Sequence, residues 1–75
     1  MNLGTLIQME RKEMRLSQEE LAIKIQRSQD WVSLIERNKQ EPLQEDLENL
    51  ARELRSKILQ DIADGRAFKE FRRRL

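Results

Sequence analysis

Residues 17 to 39, SQEELAIKIQRSQDWVSLIERNK, constrain the fold more than any other part of the chain. Ser17, followed three residues later by Glu20, is a capping-box pattern in which each side chain satisfies an orphan N–H at a helix start. Leu21, Ala22 and Ile25 then give that helix one apolar face. Ser28 supplies a second N-cap, and behind it Val32 and Ile35 form the buried stripe of another helix. So short a connection holds the two helices as a crossed pair. Gln29, Asp30, Trp31, Ser33, Leu34 and Arg37 are left to be divided between solvent, packing and a partner.

The rest of the chain also reads as helix. Leu3, Leu6, Ile7 and Met14 give a first helix its apolar side, and Arg15 with Leu16 connects it to Ser17. Two glycines and one proline leave little room for strands and hairpins. Pro42 closes the loop after the second capped helix, and Glu45 and Asp46 suit the positive N-terminal end of the helix that follows. Leu47, Leu50, Leu54, Ile58 and Ile62 continue at steps of three and four. They fit one long helix or two with a break near Arg55 and Ser56. Gly65 reads as a helix stop before a last turn or two carrying Phe68 and Phe71. The expected fold is all-α, a compact bundle of four or five helices over residues 1–64, followed by a short basic extension over residues 65–75.

With 75 residues the chain is one domain, of a size where a core alone supplies only a few kcal/mol. Dimerisation would add to that. Charged residues make up 39% of the chain but nearly cancel, to a formal net charge of +1, so charge alone identifies no partner. The distribution is more informative. Glu41, Glu45, Asp46, Glu48 and Glu53 make one stretch acidic, whereas Arg66, Lys69, Arg72, Arg73 and Arg74 make the tail basic. Absence of cysteine excludes disulfides and makes a cytosolic protein the default expectation. No charged leader precedes a long apolar run, and no apolar stretch approaches the roughly 20 residues of a membrane span, so neither export nor a membrane is expected.

Catalysis finds little to work with. Without His or Cys the commonest metal ligands, proton shuttles and thiol nucleophiles are missing, and the serines lie at helix caps with no base beside them. The paired carboxylates Glu19-Glu20 and Glu45-Asp46 read as solvated helix starts, and no glycine-rich phosphate loop exists. The expectation is a protein that is not an enzyme, with no cofactor and no metal.

A second capped helix held proud of its neighbours fits the DNA major groove. At this point Arg11, Ser17-Gln18-Glu19-Glu20-Leu21-Ala22, Ser28, Val32-Ser33, Ile35-Glu36, Lys39 and Pro42 resemble the DNA-binding domain of Cro/C1-type, or XRE-family, helix-turn-helix regulators. Leu47, Leu50, Ala51 and Leu54 continue the resemblance, which covers roughly residues 3 to 55. It implies a lambda-repressor-like bundle with the helix-turn-helix proper at residues 17–38. Two places depart from the pattern. Gln26 stands where the turn usually holds glycine and Arg27 where an apolar residue follows, so a differently shaped turn is expected, because a left-handed Gln26 costs about 1–2 kcal/mol. Asn38 replaces a glycine after the recognition helix, where asparagine tolerates the left-handed conformation.

The resemblance assigns Arg11 and Glu36 an inter-helix ion pair that orients the recognition helix. As an exposed pair it would contribute less than about 1 kcal/mol. Gln18 is expected to donate to a phosphate at the start of its helix. Gln29 is expected to bond an adenine edge, while Asp30 either accepts from a cytosine amino group or caps its helix alongside Ser28. Trp31 is expected to pack on the sugar-phosphate chain or a thymine methyl, the alternative being packing against the first helix. Leu34 is placed against a thymine methyl or left as an ordinary exposed leucine. Arg37, Lys39 and Gln40 are expected to hold the backbone beside the groove, and the basic tail is either a further phosphate contact or a solvated end. Ile58, Leu59, Ile62, Phe68 and Phe71 form the expected dimer surface. The functional expectation is a sequence-specific double-stranded-DNA-binding transcription regulator, a repressor acting as a homodimer on a two-fold operator. The alternative is an antitoxin or protein-binding adaptor that uses the same scaffold to hold a toxin or other protein partner.

Overall fold

A computed structural model of the chain describes residues 2–65. Among them are five helices and no strand: α1 (Leu3–Glu13), α2 (Gln18–Ile25), α3 (Gln29–Glu36), α4 (Gln44–Glu53) and α5 (Lys57–Ala63). The segment after Pro42 is therefore two helices. Phe68, Phe71 and the arginines and lysine of the tail lie outside the described residues.

Small polar side chains start these helices. Ser17 and Glu20 form the complete reciprocal box, with Glu20 N–H donating to Ser17 Oγ at 3.0 Å and Ser17 N–H donating to Glu20 Oε1 at 2.9 Å. Asn2, Ser28 and Ser56 each accept one N–H of the following first turn. Helix α4 uses the reverse half of the device, since Asp46 Oδ2 accepts the Leu43 N–H at 3.1 Å.

The helix ends are less expected. Arg15, Gln26, Asn38 and Arg55 all have left-handed backbones, with φ of 57°, 58°, 60° and 50°. Beyond each one, the next N–H reaches back five residues, as in Leu16 to Arg11 at 3.2 Å, Arg27 to Ala22 at 2.9 Å, Lys39 to Leu34 at 2.9 Å and Ser56 to Ala51 at 3.0 Å. These are four Schellman ends built without glycine, and they satisfy carbonyls that a helix terminus would otherwise leave unpaired. Gln26 thus corrects the expectation of an altered turn. The hydrogen bonds of the Schellman end outweigh the left-handed strain, so the turn keeps the shape that a glycine would give it. Only Gly65, at φ 84°, is a glycine stop.

The core is assembled from Ile7, Leu21, Ala22, Ile25, Trp31, Val32, Ile35, Leu50, Ala51, Leu54 and Leu59, with Leu3, Leu6, Leu16 and Ile62 packed around it. Helices α2 and α3 pack against each other, and Ala22 on α2 is buried. Helices α4 and α5 pack closely, and the Gln44 side chain at the start of α4 donates to the Ala63 carbonyl at the end of α5, so the two run antiparallel. This turn-back corrects the expectation for Leu59. Arg55 reverses the chain, α4 covers the Leu59 and Ala63 face, and Leu59 is fully buried in its own domain. Ile62 is partly buried and Ile58 is 54% exposed.

Helix α1 holds α3 through backbone contact. A Cβ built on Gly4 would lie 2.4 Å from the Ile35 carbonyl oxygen and 2.7 Å from that of Glu36, so only glycine permits this approach. Asn38 locks the same corner, accepting the Gly4 N–H at 3.0 Å and donating to Asn2 Oδ1 at 2.8 Å.

Candidate nucleic-acid interface

Successive residues of a helix turn by about 100°, so the eight residues of α3 divide into two faces. Trp31, Val32, Ile35 and Glu36 point into the domain and are buried. Asp30, Ser33, Leu34 and the following Arg37 lie on the opposite side at steps of three and four, with Gln29 at its edge. Gln29, Asp30 and Arg37 are exposed, and Ser33 and Leu34 are half-buried. Asp30 lies at the N-terminal end of this stripe and Arg37 at the C-terminal end, each suited to the helix dipole there.

Trp31 is the correction on this helix. It precedes Ile35 by four residues, about one turn, which puts its ring on the inward side, in the core. The Arg27 guanidinium covers it, with Cζ 5.1 Å from the ring centroid. Packing within the domain, not a sugar-phosphate contact, is where the ring's apolar surface is used.

The inward face is pinned at both ends. At the C-terminal end Glu36 takes Arg11 in a two-pronged pair, Nε to Oε2 at 2.6 Å and Nη2 to Oε1 at 2.9 Å. Arg11 spends its remaining arm on the Leu16 carbonyl at 2.8 Å, and Gln18 Nε2 donates to Glu36 Oε1 at 3.1 Å. One carboxylate therefore joins α1, α2 and α3. The pair is buried, with 9% and 2% of the two side chains exposed, which corrects its expected surface character. At the N-terminal end Arg27, in the turn before Ser28, donates from Nε at 3.1 Å and Nη2 at 2.7 Å to Asp46 Oδ1. Asp46 is buried, so it is no solvated helix start.

The side chains expected to meet DNA fall into two groups. Ser28 is occupied as the α3 cap, its Oγ accepting the Trp31 N–H at 3.0 Å. Gln18 is half-buried and shares its amide with Glu36, one N–H of that amide remaining for another acceptor. Arg37 folds back so that Nε donates to Ser33 Oγ at 3.2 Å. Gln29, Asp30, Lys39 and Gln40 are exposed and their side chains make no hydrogen bond among the described residues. Because Ser28 does the capping, Asp30 is not needed for it. Reading the sequence missed Gly4, Arg27 and the buried role of Asp46. Only Asp46 had a usable signal, an acid at the third position of its helix, where capping residues reach back.

No described helix is long and apolar enough to cross a membrane, and no described cluster of three or more acidic residues is arranged to hold a metal ion. No curated protein and no solved structure gives a significant match to the chain. Residues 2–56 match the family described as helix-turn-helix domain, a span that takes in α1 to α4 and the turn into α5. The chain belongs to the helix-turn-helix domain family, a family typical of XRE- and Cro/C1-like DNA-binding regulators.

Proposed function

We propose that this DNA-binding regulator is sequence-specific for double-stranded DNA, lays α3 in the major groove, and represses by occupying a two-fold operator as a homodimer. The observation that carries the reading is the outward stripe of α3. Its inward face is fixed by the buried Arg11–Glu36 pair and by the pair of the half-exposed Arg27 with the buried Asp46, whereas Gln29 and Asp30 at its leading end are exposed and unbonded. A rigid helix with free hydrogen-bonding groups at its N-terminal end is what base-edge readout needs.

In this reading Gln29 takes both N6 and N7 of an adenine, Asp30 accepts from a cytosine amino group, and Leu34 covers a thymine methyl. Gln18, Arg37, Lys39 and Gln40 supply phosphate contacts, with Ser33 holding Arg37 in place. The basic extension at residues 65–75 adds to the phosphate contacts. Asp30 repels the backbone, so it lowers non-specific affinity and sharpens discrimination.

Selection of bound duplexes from a random pool, followed by salt titration, tests this. Affinity for the selected duplex should fall steeply with salt, and Lys39→Ala should reduce the slope by about one. Gln29→Ala should cost about 1–3 kcal/mol on that duplex and little on a scrambled one. A salt-independent or sequence-independent response refutes the proposal and favours the protein-binding adaptor or antitoxin.

A further inference from the structure

Helix α3 packs chiefly against α2 and α1. Its C-terminal end is tied to both through Glu36, but its N-terminal end, which carries Gln29 and Asp30, has a different anchor. Arg27 sits one residue before the α3 cap and crosses to Asp46 in the first turn of α4. Both donors of that guanidinium edge converge on Asp46 Oδ1, and Asp46 Oδ2 accepts the Leu43 N–H at 3.1 Å. The same guanidinium lies over the Trp31 ring in the first turn of α3. One planar group therefore touches the turn, α3 and α4 together.

We propose that Arg27 and Asp46 act as a positioning pair for base readout, holding the leading end of α3 at the angle to α4 at which Gln29 and Asp30 reach base edges. The proposal rests on the DNA-binding reading above. Two-pronged base contacts tolerate little displacement, whereas the phosphate contact from Lys39 is a charge attraction over a longer range. Loosening the N-terminal end of α3 therefore removes discrimination before it removes affinity. Arg27 keeps 40% of its side chain exposed, but its Nε and Nη2 are committed to the buried Asp46 carboxylate, which leaves Nη1 alone for a phosphate. The pairing neutralises its charge. The fork geometry matters as much as the charge, so lysine should not substitute fully.

The test compares Arg27→Gln, Arg27→Lys and Asp46→Asn in the full chain, on a duplex selected by the wild type and on a scrambled duplex, across a range of salt. For Arg27→Gln the ratio of selected to scrambled affinity should fall about tenfold while the salt slope changes by less than about half a unit. Arg27→Lys should fall between it and the wild type. Trp31, the only tryptophan, should shift its emission to the red as its cover loosens. If Arg27→Gln does not fold, Asp46→Asn decides. Asp46 is buried and so presents almost no surface to DNA, and a loss of discrimination there supports positioning. Equal losses on both duplexes with a slope reduced by about one would make Arg27 a phosphate ligand and overturn the proposal. Folded variants with unchanged discrimination overturn it too, leaving the DNA reading intact. A wild type that distinguishes no duplexes removes both.

Discussion

Glu36 ties three helices through one carboxylate, which meets Arg11 and Gln18 away from solvent. Removing one member of a buried pair leaves the other charge uncompensated, at a cost of about 3–5 kcal/mol. A domain of this length has about 4–11 kcal/mol in total. Glu36→Ala is therefore expected to leave the chain barely folded in urea titrations, and Arg11→Met with Glu36→Leu together to recover much of the loss. A single-variant cost under about 1 kcal/mol would return the pair to the surface class. Glu20 makes a smaller, pH-dependent contribution. The Ser17 backbone N–H, then the Ser17 hydroxyl, hold its carboxyl below the ordinary value of 4.5. A lowered folded value means that the fold favours the charged form, so this stabilisation is complete above the ordinary value. It is lost as pH falls through the lowered one. Glu20→Gln should reduce stability at neutral pH and flatten its fall on acidification, as followed by thermal melts between pH 2 and 7.

At the scale of elements, the four left-handed ends define where each of α1 to α4 stops and how the next begins. Non-glycine residues in that conformation carry about 1–2 kcal/mol of strain, partly offset because glycine is more disordered when unfolded. Gln26, exposed and without a side-chain bond among the described residues, should gain stability on Gln26→Gly, by about 0.5–1 kcal/mol. Asn38 has the same backbone but the opposite expected outcome. Its amide bonds Gly4 and Asn2, so Asn38→Gly relieves strain while releasing α1 from the end of α3. Chemical denaturation of the two variants side by side checks this, and two shifts of the same sign would show that the Asn38 amide contributes little.

As a whole the described chain measures 33 by 23 by 20 Å, so one copy spans no more than about the 34–36 Å between successive major-groove half-sites. A two-fold operator then needs two copies. Of the apolar residues expected at the dimer surface, Ile58 is the one left well exposed and Ile62 lies partly buried beside it on α5. Truncation after Arg55 is no test of the dimer, because it would delete Leu59 and Ala63 from the core. Ile58→Lys leaves that core in place. It should convert a dimer into a monomer in sedimentation at tens of micromolar, roughly the range of weak association, and shrink the protected DNA to one half-site. An unchanged sedimentation coefficient would move the dimer contact elsewhere.

The sequence alone determined that the chain is helical and where α2 and α3 start, because capping chemistry and three-to-four periodicity act within a few residues of one another. Ser17 with Glu20, Ser28, and the Leu21 and Ile35 core positions were legible for that reason, and so was the motif that places α3 outward. What only the tertiary structure decided was which of two locally equal faces a side chain joins. Trp31 and Leu59 both sit at helical positions whose expected direction was outward, toward DNA and toward a second copy, and local periodicity alone does not exclude inward. Arg27 covers the first and α4 covers the second. The break at Arg55 was equally open, since one long helix and two short ones share the same periodicity. Burial of Leu59 and Ala63 against α4 selects the break. Asp46 read as a solvated helix start until Arg27, 19 residues away, closes on it, and Glu36, whose partner Arg11 the resemblance gave, read as half of an exposed pair until folding buried both. Such pairs are set by distances that folding creates, and no pattern of neighbours along the chain records them.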